Sequence, residues 1–167
     1  MSWSDPRPHR RQILAGLGLT LLAACQFRPV YGPGGTGSLL AGRVTVIPPK
    51  GSDAFTLAQH LEDRLGPPRD PRYTLTFQLR TETDRIAITA SQDTNRFNLT
   101  GQADWRLTDS TTGAQLGTGQ VQSFTAYSAT GTTVATLTAE QDAADRLMRI
   151  LSDKIMTELL VLSPVSP

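Results

Sequence analysis

Cysteine and histidine are scarce in this 167-residue chain, with one cysteine and two histidines, and the shortage closes off several chemistries at once. A single thiol forms no disulfide within the chain, so an oxidising compartment adds nothing to its stability. His9 and His60 are too few for a Cys/His metal site, and no free cysteine is left to act as a nucleophile. Aromatic residues make up 6% of the chain, with no surplus of inward-facing rings to line a concave ligand pocket. Sixteen Lys and Arg stand against fifteen Asp and Glu, so no basic bias steers the protein to nucleic acid. No apolar run reaches the roughly 20 residues that a membrane-spanning helix needs. The run Gly32-Pro33-Gly34-Gly35-Thr36-Gly37 is rich in glycine but lacks a closing lysine and a preceding strand, so it is not a phosphate loop. The carboxylates are scattered along helices and turns, and no convergent pair is in view. The chain does not read as an enzyme.

What is present begins at the N-terminus. Residues Ile13 to Ala24 are almost wholly apolar, follow Arg7, Arg10 and Arg11, and end at Cys25. A basic flank, a short apolar stretch and small residues at its end predict a secretory signal peptide over residues 1–24. Leu22-Ala23-Ala24-Cys25 fits the bacterial lipobox, in which the cysteine is acylated and becomes the new N-terminus. Lipid on Cys25 is then the expected membrane anchor and the only non-protein group; no metal or cofactor is expected. Several chains at about 0.8 kcal/mol per buried CH₂ hold a protein on one leaflet. Gln26, rather than aspartate, follows the cysteine and favours the outer membrane. Removing residues 1–24, with three arginines against Asp5, takes the net charge from +1 to about −1 and leaves 143 residues, enough for one domain.

Beyond a tether of turn formers that is expected to reach residue 42, the apolar pattern predicts six elements. Val44-Thr45-Val46-Ile47 reads as a short strand ended by Pro48-Pro49. A helix capped by Ser52 or Asp53 runs to about Leu65, burying Ala54, Leu57, Ala58, Leu61 and Leu65; Gly66-Pro67-Pro68 ends it. His60 falls on its solvent side. From Tyr73 to Arg80 every odd residue is apolar and every even one polar, which predicts a strand with one buried face. Ile86 and Ile88 continue on even numbers, so a register shift lies between Thr81 and Arg85, made either by a bulge or by a turn. From Arg96 to Leu107 the odd residues Phe97, Leu99, Ala103, Trp105 and Leu107 share one face. A turn over Asp109–Gly113 leads to a strand from Leu116 to about Tyr127, weakened by Gly117 and Gly119. A last helix, capped by a Thr138–Gln141 box, buries Ala144, Leu147, Met148, Leu151, Ile155, Leu159 and Leu162, and Ser163-Pro164 stops it. The expected fold is α+β: a two-layer sandwich of two helices on one face of a mostly antiparallel four-stranded sheet.

Cys25 is followed by Gln26-Phe27-Arg28-Pro29-Val30-Tyr31-Gly32. This run resembles the start of the alphaproteobacterial LPS-assembly lipoproteins of the LptE family, and the order of elements after it is similar as well. The resemblance implies a non-catalytic plug or assembly subunit of the lipopolysaccharide translocon, seated in a large outer-membrane β-barrel of the LptD type. It divides the chain into a signal peptide (1–24), a lipidated N-terminus and tether (25–42), an LptE-like sandwich (43–163) and a loose tail (164–167). The polar sheet face, with Thr74, Thr76, Gln78, Arg80, Asn98, Thr100, Gln102 and Arg106, is either an ordinary solvated face or one covered by a protein wall. Thr100 and Gln102 are candidate partner contacts. Arg80, Arg85, Arg96 and Arg106 are candidates for lipopolysaccharide phosphates, because guanidinium matches phosphate bidentately. The alternative reading is an auxiliary lipoprotein of an ABC-type lipid transport system, which shares the same outline.

Overall fold

A computed structural model describes residues 35–88, 94–129 and 132–162. Cys25, the leader and the Ser163-Pro164 stop with the tail after it lie outside the described residues. Among the described residues the elements run in the order α1 (Thr36–Leu40), β1 (Val44–Ile47), α2 (Ser52–Leu65), β2 (Tyr73–Ile88), β3 (Thr94–Asp109), β4 (Gln115–Ser128) and α3 (Thr133–Val161). The sheet order is β1-β2-β3-β4, with β1 parallel to β2 and the other two pairs antiparallel. The helices lie against one face, as the alternating pattern predicts, and the sandwich has two layers.

The alternation of Tyr73, Leu75 and Phe77 in β2 and of Leu99, Ala103, Trp105 and Leu107 in β3 sends these side chains to the helix side, where each is less than a tenth exposed. They meet Leu57, Leu61 and Leu65 of α2 and Leu147, Met148, Leu151, Ile155 and Leu159 of α3. Burying one such leucine contributes about 1.5–3 kcal/mol, so this shared layer is what holds helices to sheet. Gly101, Gly117 and Gly119 face the same way, and a Cβ on any of them would meet Leu147, Leu162, or Trp105 and Glu158 respectively. The two glycines in β4 therefore let α3 approach the sheet closely. They are contacts, where the sequence pattern predicts only a weaker strand.

Several boundaries differ from expectation, each for a local reason. Residues 36–40 form a one-turn helix inside the expected tether, because Leu40 is apolar and is driven to 1% exposure in the core. Gly51 rather than Ser52 or Asp53 occupies the cap position of α2, and Asp53 sits in its first turn, where its charge complements the helix dipole. Gly66 ends α2 with φ 77°, its N–H bonded to the Glu62 carbonyl at 2.8 Å. α3 starts six residues before the expected box: Thr132 accepts from the Ala135 N–H at 3.3 Å, while Thr138 lies inside the helix and donates back to the Val134 carbonyl at 3.1 Å. β2 is one continuous strand whose pairing with β3 holds through Arg85 and slips only at Arg85/Ala87 and Ala87/Ile88. The irregularity is thus a bulge in a single strand, beyond the expected interval, and the side chains of Ile86 and Ile88 lie outside the described residues.

At the opposite end of the sheet, Asp109 Oδ1 accepts the backbone N–H groups of Thr111 and Thr112, both at 2.9 Å, which closes the β3–β4 turn. Those two N–H bonds, Thr112 first, hold the Asp109 carboxyl below its usual value. Phe97 stacks on Tyr127 with ring centroids 5.2 Å apart, and burial, reinforced by Glu140, raises the Tyr127 hydroxyl above its usual value.

The two helices cover the sheet unequally. α3 has 29 residues and α2 has 14, or roughly 43 and 21 Å at 1.5 Å per residue. Among the described residues no helix covers the far half of β2, and Thr81, Thr83 and Arg85 on its helix-side face are exposed.

Candidate interaction surface

Among the described residues, nothing covers the face of the sheet turned away from the helices. Strand alternation alone builds it: Thr74, Thr76, Gln78 and Arg80 from β2; Asn98, Thr100, Gln102, Asp104 and Arg106 from β3; Thr118, Gln120, Gln122 and Phe124 from β4. Antiparallel register sets Arg80 opposite Gln102, Gln102 opposite Gln122, and Thr100 opposite Phe124. Opposite residues in such a ladder have Cβ atoms about 5 Å apart, so the amides and hydroxyls form rows across the face.

Asp104 is the centre of its polar network. It accepts from Gln120 Nε2 at 2.6 Å and from Arg80 Nη1 at 3.2 Å, with Gln102 Nε2 at 3.5 Å at the limit of a hydrogen bond. Asp104 is not among the candidates that the sequence offers, although its even number in β3 places it on this face. Arg80, Arg96, Thr100, Gln102 and Arg106 share the face, and a depression of about 300 Å³ is lined by Arg80, Glu82, Thr100, Gln102 and Gln122. Arg85 does not join them: it is an odd-numbered residue before the bulge and lies on the helix-side face, in the stretch without a helix. Arg80 is tied to Asp104, while Arg106 has no side-chain partner among the described residues. Glu82, Asp84 and Asp104 balance Arg80, Arg96 and Arg106, so the surface as a whole is polar and close to neutral.

His60 is not solvated as its helix position predicts. Its Nε2 lies 3.1 Å from Asp145 Oδ1, across the seam between α2 and α3, and Asp145 Oδ2 also accepts from Arg149 at 3.1 Å. Arg64 and Asp153 form a second ion pair across the seam. His60 therefore helps to align two helices and is remote from the open face. Among the described residues no group of three or more His, Cys, Asp or Glu is placed to hold a metal ion, and no helix is long and apolar enough to cross a membrane.

Solved structures share this two-layer sandwich. A lipoprotein from Caulobacter crescentus is 23% identical with a TM-score of 0.63, over 75% of this chain and 92% of that one. A minor lipoprotein from Acinetobacter baumannii is 13% identical with a TM-score of 0.57, over 75% and 97%. The rare lipoprotein B of Shewanella oneidensis is 9% identical with a TM-score of 0.53, over 70% and 91%. No curated protein matches the sequence. The lipopolysaccharide-assembly family LptE matches residues 42–159, from just before β1 into the last turns of α3, and the chain belongs to that family.

Proposed function

We propose that this protein is an outer-membrane lipoprotein, anchored through acylated Cys25, whose open sheet face is covered by the inner wall of a large LptD-like β-barrel. Its part in lipopolysaccharide assembly is then non-catalytic: it supports the barrel fold, occupies the lumen and assists delivery of lipopolysaccharide to the outer leaflet. The observation that carries this reading is the bare face itself, three long strands wide, rich in Thr and Gln and close to neutral in charge. A barrel lumen is polar, and hydroxyl and amide groups pair with such a wall without the desolvation cost of dense charge. Arg96 and Arg106 are the arginines of this face not spent on Asp104, and they are the proposed contacts to lipopolysaccharide phosphate.

The test is a photo-activatable cross-linker placed at Gln102 or Gln122 on the open face, and at Phe55 on the outer side of α2 as control, in cells that carry the full chain. Cross-links from the open face to an outer-membrane barrel, stronger than those from Phe55, are expected. Equal or absent cross-links from the open face overturn this placement.

A further inference from the structure

β4 is the outermost strand on one side of the sheet. An irregularity at Leu107 and Thr108 of β3 interrupts the start of its pairing, and from Gly117 to Ser128 the ladder then runs unbroken. That stretch includes no Asp, Glu, Lys, Arg or Pro. Within it, Val121-Gln122-Ser123-Phe124-Thr125-Ala126-Tyr127 combines β-branched and aromatic residues and lacks glycine as well. This is the composition of segments that stack into intermolecular sheets. Edge strands present unpaired main-chain groups, and natural proteins protect them with charge, proline, bulges or short length. The other side of this sheet does so with its own residues. β1 pairs only with Tyr73–Thr76 of β2, and the stretch of β2 beyond carries Arg80, Glu82, Asp84 and Arg85. After its irregular start, β4 has no such residue.

The missing charge comes from the helix layer. Lys154 of α3 reaches the strand, and its Nζ donates to the Gln122 main-chain carbonyl at 2.5 Å. We propose that Lys154 is the guard of this edge: its ammonium occupies a main-chain acceptor in the middle of β4 and keeps the free chain from adding a strand there. Two effects act together. An incoming strand must displace a charge-assisted hydrogen bond, which is stronger than the neutral bond that replaces it. Two copies meeting antiparallel along this segment also bring two ammonium groups to one junction, where like charges oppose pairing. The acidic residues beside Lys154 on α3 are engaged elsewhere: Asp153 pairs with Arg64 across the helix seam, and Glu158 accepts from Trp105. The inference does not rest on the barrel reading, because it concerns the chain before any partner covers it.

The experiment follows self-association of the mature lipoprotein in mild detergent by sedimentation, from low micromolar to several hundred micromolar. Infrared absorption in the amide band detects any added intermolecular sheet. The parent and Lys154→Arg should stay single chains. Lys154→Ala should associate about tenfold or more readily than the parent and gain the intermolecular sheet band. Its urea midpoint should not change, since Lys154 is exposed. Adding Gln122→Lys to Lys154→Ala places a charge on the strand itself and should return the single chain. Gln102→Lys on β3, in the same Lys154→Ala background, should not. Lys154→Ala that remains a single chain at every concentration overturns the proposal. So does a parent or Lys154→Arg that associates as readily as Lys154→Ala, or association that comes with a lowered urea midpoint. Failure of Gln122→Lys to restore the single chain, or equal rescue by Gln102→Lys, overturns it as well.

Discussion

Replacing Gly119 by alanine tests the packing of α3 on the sheet at its tightest point. A Cβ at this position would lie 2.7 Å from Trp105 Nε1 and 2.8 Å from Cε2, and against the Glu158 carboxylate. The Trp105 ring is 2% exposed and has no free side to move to. Overpacking of this kind costs about 1–3 kcal/mol. The new methyl also intrudes on the 2.6 Å bond from the indole N–H to Glu158 Oε2, and a hydrogen bond to a charged group contributes about 1.5–3 kcal/mol. Against these stands a gain of about 0.4–1 kcal/mol from restricting the unfolded chain. The net expectation is a loss of about 2–4 kcal/mol. Gly117→Ala is the control: the atoms nearest its Cβ belong to the Leu162 side chain, at 2.7 Å to Cδ1, and a half-buried leucine at the end of α3 turns aside for less than about 1 kcal/mol. Urea unfolding followed by tryptophan fluorescence reads both variants, because Trp3 falls in the expected leader and Trp105 is then the sole reporter. A shift in midpoint at unchanged slope identifies a change in stability. Gly119→Ala within about 0.5 kcal/mol of the parent, or Gly117→Ala costing as much as Gly119→Ala, refutes this account of the glycines.

Three further outcomes are expected. Cys25→Ala should leave uncleaved precursor or soluble protein on fractionation, and a normal membrane-bound mature form contradicts the anchor. Thr100→Asp with Gln102→Glu should weaken partner binding 30-fold or more, since an unpaired charge at a buried contact costs about 2–5 kcal/mol. The isolated fold should stay within about 0.5 kcal/mol, as surface changes usually do; unchanged binding moves the interface to loops or helices. Asp109 has its carboxyl held below its reference value of 3.8 by the Thr112 and Thr111 N–H groups. Its stabilisation is therefore complete above that value and is lost as pH falls through the lower folded one. The stability gap between the parent and Asp109→Asn should narrow from pH 5 downward in acid titrations, and a gap independent of pH contradicts the turn geometry.

How far the structure was legible in the residues depends on how one-sided each element is. In β3 a buried and a solvated face alternate from Phe97 to Leu107, so period and register followed directly, and α2 showed its stripe from Ala54 to Leu65. Legibility failed where local signals competed. Thr138 and Gln141 have the spacing of a capping box, yet Thr132 caps the helix, because the first turns of α3 carry Val134 and Leu137 exposed and lack the buried stripe that marks the rest. Gly119 looked like a weak point because the contact that uses it, Trp105 with Glu158, joins residues 53 apart in the chain, and Gly117 did because its neighbour Leu162 is 45 residues away. The same holds for His60, whose partner Asp145 is 85 residues away. Of the six candidate side chains, Arg80, Arg96, Thr100, Gln102 and Arg106 share one face. Arg85 lies on the other face because the slip in β2 comes after it rather than before it, and the role of Asp104 was not legible because its partners Arg80 and Gln120 come from the neighbouring strands.

The central claim is that a barrel covers the open face, and affinity purification of the tagged, mature lipoprotein from gently solubilised outer membranes tests it most directly. Mass spectrometry should find a large β-barrel in stoichiometric amount, retained through detergent by the parent and lost by Thr100→Asp with Gln102→Glu. Recovery of inner-membrane transport components instead, with no barrel, contradicts the account.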